Sequence, residues 1–369
     1  MADEYRTRPD TRTKLVYIIN SLYTGGAEVG MYRLLDGLDQ TEYNVTVLSL
    51  DGHSVDLTDQ IPSWVRIVDL RFRSGIRVST IRELYSSVRT ADVIVGSLYH
   101  STMIARLCRL LRPSATIVTW HHNNRFKNDF RRSSFRWTTK LSDVVLADSE
   151  PVAEMLVADL ALDPDLVHTV PIAGIDLDEY TPVEHRDSEE ITVGTLGRLT
   201  EQKNHAMVLD VAEQLQETNI RFEIAGDGEL YETLQEEIAE RDLQNVTLHG
   251  LVEDVPSFLE GLDIYFQPSR WEGLCITVLE AMAAGLPVVG SDVRGIGRNV
   301  EQDVAGFLYE PNDVDGFVSG IETLAADPEV RERFGNRGRA IVREGFTQDV
   351  LVREFEKAIG TNSTFEQSI

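Results

Sequence analysis

The chain has 369 residues, 42% of them hydrophobic, which is enough for two domains that each bury a core. Its apolar runs are too short for a transmembrane helix, and its polar start, Met-Ala-Asp-Glu-Tyr-Arg, is unlike a secretory signal. The net charge of −26 argues against a nucleic-acid partner, because it would be repelled by a phosphate backbone.

The acidic excess is unevenly placed along the chain. Residues 1–180 hold 24 acidic and 20 basic residues, whereas residues 181–369 hold 37 and 15, so we expect the two halves to face different partners. Only five of the 35 basic residues are lysines. Abundant carboxylate with little lysine suits a protein kept soluble in concentrated salt, and we hypothesise a halophilic source. An acidic enzyme of ordinary salt tolerance is the alternative.

The two cysteines, Cys108 and Cys275, are far apart and lack the spacing of a metal site. Two such cysteines fit a reducing compartment, so we expect a cytoplasmic protein.

The first half repeats a pattern of strand, turn and helix. Apolar runs predict strands buried on both faces, as in a parallel sheet, at 14–19, 44–50, 92–96, 115–119 and 143–147. Gly25 and Gly26 lie between the first strand and a helix near 27–38. Glycines there let the backbone approach a phosphate or an acceptor, although an ordinary strand-to-helix turn would also use them.

Three histidines follow predicted strands of this half. His100 comes after the strand at 92–96, and His121 and His122 come after the strand at 115–119. Ligands of parallel sheets bind at the carboxyl ends of strands, so one of these rings is a candidate general base or sugar ligand. Adjacent residues point in different directions, and we favour His121 while keeping His122 and His100 open.

Residues 125–140 carry six basic residues and one acidic residue in a strongly acidic protein. Phe126, Phe130, Trp137 and Leu141 fall at helical spacing. One interpretation is a helix whose aromatic face packs on the sheet. The other is a surface for an acceptor or an anionic membrane, formed by Arg125, Lys127, Arg131, Arg132 and Arg136.

The second half restarts the same pattern after a polar stretch without periodicity. Strands are predicted at 191–196, 221–225, 245–249, 263–267, 287–290 and 305–308, with a helix near 203–217. The chain is therefore expected to form two doubly wound Rossmann-like α/β domains, 12–173 and 191–346, joined by a linker at 174–190. Ligand is expected in a central cleft where the carboxyl ends of the two sheets face each other.

The most informative segment is residues 270–290. Glu272 and Glu280 lie eight residues apart. A helix is predicted to begin just after Glu272, because residues 276–284 are good helix formers, and to end at Gly285, with Pro287 barring continuation. Eight helical steps of about 100° would bring Glu280 back to roughly the side of Glu272. The start of a helix attracts anions. A nucleotide sugar, with hydroxyls at both ends and a diphosphate between them, would suit two such carboxylates; two solvated glutamates on a core helix are the alternative.

Arg198 and Lys203 stand between a predicted strand and the following helix. A diphosphate leaving group needs positive charge as the glycosidic bond breaks, and arginine can clamp it with two hydrogen bonds while lysine adds a point charge. A solvated helix start would show the same spacing, so the argument depends on the glutamate pair downstream.

These motifs resemble those of the retaining glycosyltransferases of family four, which have the GT-B fold. The segment from Glu272 to Gly290 is similar to the family's E-x7-E signature and its E-A-M-A-x-G-x-P-V-V continuation, although Leu274-Cys275 stands where many members have Phe-Gly. Gly197–Lys203 resembles the G-R-L-x3-K element, Gly226–Gly228 the following G-x-G, and Gly25–Glu28 the G-G-A-E loop.

The resemblance implies a role for each matching position. Arg198, Lys203, Gly25, Gly26, Ile276 and Thr277 would bind the donor diphosphate; Glu272, Gly273, Leu274 and Cys275 the donor sugar; Glu280 the ribose hydroxyls; and Gly226, Gly228 and Val252 the base. Glu272 would also stabilise the oxocarbenium charge. His121, favoured from its place after a predicted strand rather than from the resemblance, is expected to be the second catalytic group. In similar proteins the last helix, here within 347–360, crosses back to the first domain.

The implied activity is transfer of a hexose from a UDP- or GDP-linked donor to a glycan or glycolipid acceptor, with retention of configuration and without a metal. Such enzymes assemble cell-surface glycans, so a peripheral position at the inner face of the membrane is also expected. The alternatives are another GT-B enzyme such as an epimerase, an NAD-dependent oxidoreductase and a silent binding protein. The oxidoreductase is disfavoured because Tyr231 stands where a full G-x-G-x-x-G would have its third glycine.

Overall fold

A computed structural model describes residues 10–23, 25–52, 61–72, 77–123, 125–184 and 188–361. Thr24 of the glycine loop and residues 185–187 of the predicted linker lie outside the described residues. The chain divides into two compact units. Unit 1 runs to Ile172 and takes in the chain from Val352 onward, and unit 2 is Ala173–Leu351.

The described part of unit 1 contains a seven-stranded parallel sheet in the order β3-β2-β1-β4-β5-β6-β7. Its strands are β1 Thr13–Ile19, β2 Tyr43–Ser49, β3 Arg66–Asp69, β4 Val93–Ser97, β5 Thr116–His121, β6 Val144–Ala147 and β7 Val167–Thr169. Its helices are α1 Gly26–Gly37, α2 Val78–Val88, α3 Tyr99–Cys108, α4 Asp129–Thr138 and α5 Glu150–Ala158. The five predicted strands are confirmed. The edge strands β3 and β7 were not predicted, because they have only four and three residues and are incompletely buried.

The described part of unit 2 contains a six-stranded parallel sheet in the order β10-β9-β8-β11-β12-β13. Its strands are β8 Ile191–Leu196, β9 Ile220–Ala225, β10 Val246–Gly250, β11 Ile264–Gln267, β12 Val288–Ser291 and β13 Gly306–Tyr309. Its helices are α6 His205–Gln214, α7 Tyr231–Glu240, α8 Val255–Glu260, α9 Ile276–Ala283, α10 Arg294–Gly297, α11 Val314–Ala326 and α12 Pro328–Gly345. All six predicted strands are confirmed, and the two sheets confirm the predicted pair of Rossmann-like α/β domains.

Each sheet has a point where the strand order reverses, between β1 and β4 in unit 1 and between β8 and β11 in unit 2. Crossover connections leave in opposite directions from such a point, and the resulting crevice at the carboxyl ends of the strands is the usual ligand site of this fold. In unit 2 the two segments that leave it are 197–204, after β8, and 268–275, after β11. These segments carry Arg198, Lys203 and residues 272–275 of the predicted donor site.

The polar stretch predicted as a linker is held against unit 2 over its first part. Ile175 and Tyr180 are buried, and the Ile175 amide donates to Phe346 O at 2.8 Å. Arg339 of α12 donates to the Tyr180 carbonyl at 2.8 Å and to the Leu177 carbonyl at 3.0 Å. Residues 174–180 are therefore part of the folded unit rather than a solvated connection.

The last helix, α13 Gln348–Ile359, joins unit 1 from Val352 onward. Its Phe355 ring stacks on Trp120 with centroids 5.9 Å apart, and Tyr43 donates a hydrogen bond of 3.1 Å to Glu356. These buried contacts confirm that the C-terminal helix returns to the first domain. None of the helices described in the chain is long and apolar enough to cross a membrane.

Candidate functional site

The helix between the two signature glutamates begins later than predicted. α9 starts at Ile276, because Cys275 caps it in the left-handed conformation with φ 56° and ψ 72°. Glu272 thus lies on the preceding loop, and only Glu280, on the second turn, is helical. The predicted helical turn that would align the two carboxylates does not exist. The predicted end is confirmed, since Gly285 has φ 74° and its amide donates to Met282 O at 3.0 Å.

Glu272 forms a buried ion pair with Lys203. The Lys203 Nζ lies 2.8 Å from Glu272 Oε1, with 14% and 5% of the two side chains exposed. Gln202 donates to Glu272 Oε2 at 3.2 Å, and Ser269 donates to Oε1 at 2.8 Å. Burial alone would lower the pKa of Lys203, but the negative charge of Glu272 and the hydrogen bond to it raise that pKa. Lys203 therefore carries its charge at neutral pH.

The Lys203 ammonium also faces the start of α9. Its Nζ lies 3.8 Å from Cys275 Sγ, which is 3.7 Å from Thr277 Oγ1. Burial, followed by the charge of Glu272, raises the pKa of Cys275 to about 11, so this thiol is neutral at pH 7. The structure thus brings together four predicted residues from two motifs that are 72 positions apart, with the cation beside a helix N-terminus, where anions are favoured.

The other predicted donor residues lie around this cluster in unit 2. Arg198 is exposed on the loop after β8, whereas Glu280 is buried on α9. Gly273 and Leu274 are buried, and Ile276 is half-buried at the first position of the helix. Asn299 donates to the Leu274 carbonyl at 3.1 Å and so holds the loop that carries Glu272.

The two glycines predicted at the base pocket are required by close backbone packing. A Cβ at Gly226 would lie 1.9 Å from the Gly197 carbonyl oxygen, and a Cβ at Gly228 would lie 2.5 Å from the Leu199 oxygen. The loop of the G-R-L motif therefore lies directly on the G-x-G turn, with the Leu199 amide donating to Asp227 O at 3.0 Å. Val252, after β10, is half-buried.

In unit 1, Gly25 is the N-cap of α1 in an extended conformation, and Gly26 is the first residue of the helix. The Val29 amide donates to Gly25 O at 2.9 Å, which satisfies one amide of the first turn. The predicted glycine loop therefore leads directly into a helix N-terminus.

The structure separates the three candidate histidines. His121 stacks on Phe126 with ring centroids 4.7 Å apart, whereas His122 Nε2 lies 2.8 Å from Ser97 Oγ and its Nδ1 3.8 Å from Asp148 Oδ2. Burial lowers the pKa of His121 to about 4 and that of His122 to about 3, so both rings are neutral at pH 7. His121, the favoured candidate, thus packs among aromatic rings, and which histidine contacts a substrate stays a prediction.

His100 lies apart from the other two on the first turn of α3. It is exposed, and Arg131 Nη2 of α4 is 3.4 Å from its Nε2. Burial, with the charge of Arg131, lowers the pKa of His100.

The basic segment forms α4, but its aromatic residues do not share the predicted buried face. Phe135 is buried against the sheet and Phe126 packs on it before the helix begins, whereas Phe130 and Trp137 are 77% and 78% exposed. The interpretation with all aromatic residues packed on the sheet is therefore wrong. The sequence misled because the helix starts at Asp129, so Phe126 is not in phase with it.

Sequence reasoning missed Gln202, Ser269 and Gln267, whose side chains surround Glu272 or its hydrogen-bond partner. Amides and hydroxyls are common in any sequence, and no spacing signals this contact. Gln202 lies next to Lys203 within the G-R-L-x3-K element, which was the available clue. Within the described ranges, no group of three or more histidine, cysteine or acidic residues is arranged to hold a metal ion.

Solved structures with the same fold are glycosyltransferases. Anabaena HepE, crystallised in complex with UDP and glucose, superposes with a TM-score of 0.82 at 17% identity over 95% of this chain and 100% of that one. Sucrose-phosphate synthase from Thermosynechococcus elongatus superposes with a TM-score of 0.78 at 17% identity, covering 94% and 98% of the two chains. At this identity the comparison establishes the GT-B fold alone.

Sequence relatives are transferases as well. The Escherichia coli UDP-Gal:alpha-D-GlcNAc-diphosphoundecaprenol alpha-1,3-galactosyltransferase is 27% identical over 270 residues, which cover 67% of this chain and 68% of the relative. Sulfoquinovosyl transferase SQD2 of Arabidopsis thaliana is 28% identical over 232 residues, covering 56% of this chain and 45% of the relative.

Two family models match consecutive parts of the chain. "Glycosyltransferase Family 4" matches residues 24–179, and "Glycosyl transferases group 1" matches residues 177–341. Together they span most of both units and include the buried pair of Lys203 and Glu272. The chain is therefore a glycosyltransferase of the family 4 type with the GT-B fold.

Proposed function

We propose that this enzyme transfers a hexose, with retention of configuration, from a UDP- or GDP-linked donor to a glycan or lipid-linked acceptor. The observation that carries the proposal is the Lys203–Glu272 pair of 2.8 Å beside the N-terminus of α9, at the point where the strand order of unit 2 reverses. UDP complexes of HepE and the UDP-galactose-dependent relative support a uridine donor. Retention rests on the E-x7-E resemblance.

The positive charges of Lys203 and Arg198 would stabilise the leaving diphosphate. Lys203 uses one of its three donors on Glu272, so a second can reach a phosphate oxygen while the pair stays formed. Arg198, exposed on the adjoining loop, can add a bidentate contact, and the amides at the start of α9 can complete the anion site. Negative charge that develops on the diphosphate is thereby neutralised without a metal ion.

Glu272 would contact the sugar and stabilise its positive charge in the transition state. Three neutral or cationic donors already hold its oxygens, so its orientation is fixed before the donor binds. Glu280 would accept hydrogen bonds from the ribose hydroxyls, Gly226, Gly228 and Val252 would adjoin the base, and Gly25 and Gly26 would approach the diphosphate. His121 stays the proposed second catalytic group, with His122 and His100 as alternatives.

The donor site can be tested by thermal unfolding in molar KCl with UDP, GDP, ADP or NAD. We expect stabilisation by UDP or GDP in the wild type, loss of that shift in Glu280→Ala, and its retention in Glu236→Ala, an exposed glutamate of α7. A shift with NAD alone, or an equal shift in Glu280→Ala, would contradict the proposal.

The exposed side of α4 supports a second element of the proposal, contact with an anionic membrane. Phe130 and Trp137 lie seven residues apart and thus on nearly one side of the helix. At about 100° per residue Arg131 and Arg136 lie on the two flanks of that side, whereas Arg132 lies roughly opposite and donates to Asp159 O at 2.9 Å. Exposed aromatic residues flanked by arginines are typical of interfacial helices, with Arg125 and Lys127 adding charge. A lipid-linked acceptor would then be met at the inner face of the cell membrane.

Cosedimentation with vesicles containing phosphatidylglycerol tests this contact. We expect binding that weakens several-fold in the double variant Phe130→Ser, Trp137→Ser and persists in Val304→Ser, an exposed apolar residue of unit 2. Equal binding by all three proteins would show that α4 is not a membrane surface.

A further inference from the structure

A closed ring of buried polar side chains lies beneath the signature loop, and Gln267 connects its two arms. Gln267 is the last residue of β11 and has no exposed surface. Its Nε2 donates to Ser269 Oγ at 3.0 Å, while its Oε1 accepts from Tyr265 at 3.0 Å and from Thr277 at 3.3 Å.

One arm of the ring ends on Glu272 and the other on the first turn of α9. Ser269 donates to Glu272 Oε1, which also binds Lys203, and Lys203 contacts Cys275 and through it Thr277. Gln267 is therefore in contact with the groups that hold both the catalytic carboxylate and the helix N-terminus. The ring is anchored to β8 because the Tyr265 hydroxyl accepts from Leu196 N at 3.3 Å and shares its single hydrogen between Gln267 Oε1 and Leu196 O, the latter at 3.1 Å.

We infer that Gln267 is a positioning residue, which fixes the direction of the hydrogen bond that Ser269 gives to Glu272. The inference rests on the proposed role of Glu272. Ser269 has a single hydroxyl hydrogen, and a carboxylate paired with lysine can only accept, so that hydrogen points to Glu272. Ser269 must then accept from Gln267, and an amide is a side chain that can donate to Ser269 while accepting from Thr277 and Tyr265.

Two substitutions separate this role from simple packing. Gln267→Met keeps the volume but removes both hydrogen-bonding functions, so Ser269 loses its donor and rotates freely. Gln267→Glu keeps the shape, but its ionised carboxylate can only accept and draws the Ser269 hydrogen away from Glu272. When protonated, the new carboxyl regains a donor, and burial moves that protonation toward neutral pH.

Release of nucleoside diphosphate from the preferred donor, chosen from UDP- and GDP-linked hexoses, provides the measurement. We expect kcat to fall about tenfold in Gln267→Met, with the dissociation constant of the free nucleoside diphosphate within about twofold of wild type. In Gln267→Glu we expect a larger loss at pH 8 that is partly recovered at pH 6. Gln302→Met, at an exposed position of the same unit, is the matched control and should behave as wild type.

A double-mutant cycle shows whether Gln267 acts through Ser269. The loss in the combined variant Gln267→Met, Ser269→Ala should be no greater than in Ser269→Ala alone. Additive losses, wild-type turnover in Gln267→Met, or a loss of nucleotide affinity equal to the loss of kcat would overturn the inference while leaving the proposed function intact. A wild-type enzyme without turnover on any such donor would overturn both.

Discussion

Cys275 stands where many family members have glycine, and its backbone explains that preference. It adopts φ 56° and ψ 72°, a left-handed conformation that costs about 1 kcal/mol for a residue with a Cβ. We predict that Cys275→Gly is more stable than Cys275→Ala by about 1 kcal/mol, because both variants lose the thiol but only glycine relieves the strain. Urea unfolding of the two proteins measures the difference.

A matched pair at an ordinary helical position gives the opposite order. Glu236 is exposed on α7. At this position the free energy of unfolding of Glu236→Ala should exceed that of Glu236→Gly by about 1 kcal/mol. If Cys275→Ala were the more stable of the two variants at 275, the left-handed conformation would not be a source of strain.

His205 is a buried histidine at the start of α6, and it predicts acid sensitivity. It has no exposed surface, and neither ring nitrogen has a hydrogen-bond partner among the described residues. Burial, with the charge of Lys203, lowers its pKa to about 3, whereas an unfolded histidine titrates near 6.5. Between these values the unfolded chain binds the proton and the folded chain does not, so stability falls as pH drops through this window.

We predict that His205→Phe has a shallower loss of unfolding free energy between pH 6.5 and 4, by up to about 1.4 kcal/mol per pH unit. The pKa values of His121 and His122 are also lowered, so part of the dependence of the unfolding free energy on pH should remain in the variant. Chemical denaturation at several pH values measures it, with the exposed His168→Phe as control. Identical slopes for wild type and His205→Phe would mean that this ring is protonated in the folded state.

Among the elements, α9 is held at its carboxyl end by Arg339 of α12. The guanidinium donates to the Ala283 carbonyl of α9 and to the Leu177 and Tyr180 carbonyls of the segment after Ile172. One side chain thereby satisfies a helix terminus and two loop carbonyls. It fixes both the signature helix and the chain that enters unit 2.

We predict that Arg339→Met lowers the free energy of unfolding by about 2–3 kcal/mol, since three partly buried carbonyls lose a charged donor. The control is Arg337→Met, which removes exposed ion pairs with Glu301 and Glu344 and should cost much less. Equal losses of unfolding free energy in the two variants would show that water replaces Arg339 as the hydrogen-bond donor to these carbonyls.

The extent to which these elements could be predicted follows from their burial. Strands such as Ile191–Leu196 and Ile264–Gln267 are short, almost fully buried and rich in apolar residues, so they could be predicted from the sequence pattern. The start of α9 could not, because a left-handed cysteine has no sequence signal. The glutamate pair and Lys203 could be recognised from spacing, but their contact depends on β8 lying next to β11, and the supporting Ser269 and Gln267 become visible only with that pairing.

At the scale of the whole molecule, the two units share one kind of fold but differ strongly in net charge. Most of the acidic excess lies after residue 180, where the sequence has 37 acidic and 15 basic residues. The exposed aromatic residues and the arginines of α4 belong to unit 1. Repulsion among the carboxylates of unit 2 opposes the compact state of that unit. The same negative charge would repel unit 2 from an anionic surface, to which the basic helix α4 would be attracted.

This repulsion predicts a strong dependence of stability on salt. Screening shortens the range of charge interactions from about 10 Å at 0.1 M salt to about 3 Å at 1 M. We expect the melting temperature to rise by about 10 °C or more between 0.1 and 2 M KCl, and by much less in sucrose, which stabilises proteins without screening charge.

Replacing Glu232, Glu236 and Glu240 of α7 by glutamine should raise the melting temperature at 0.1 M KCl and reduce its salt dependence, because fewer like charges remain to be screened. A wild-type melting temperature near its high-salt value at 0.1 M KCl would mean that the acidic surface is tolerated without salt, and the hypothesis of a halophilic source would then be wrong.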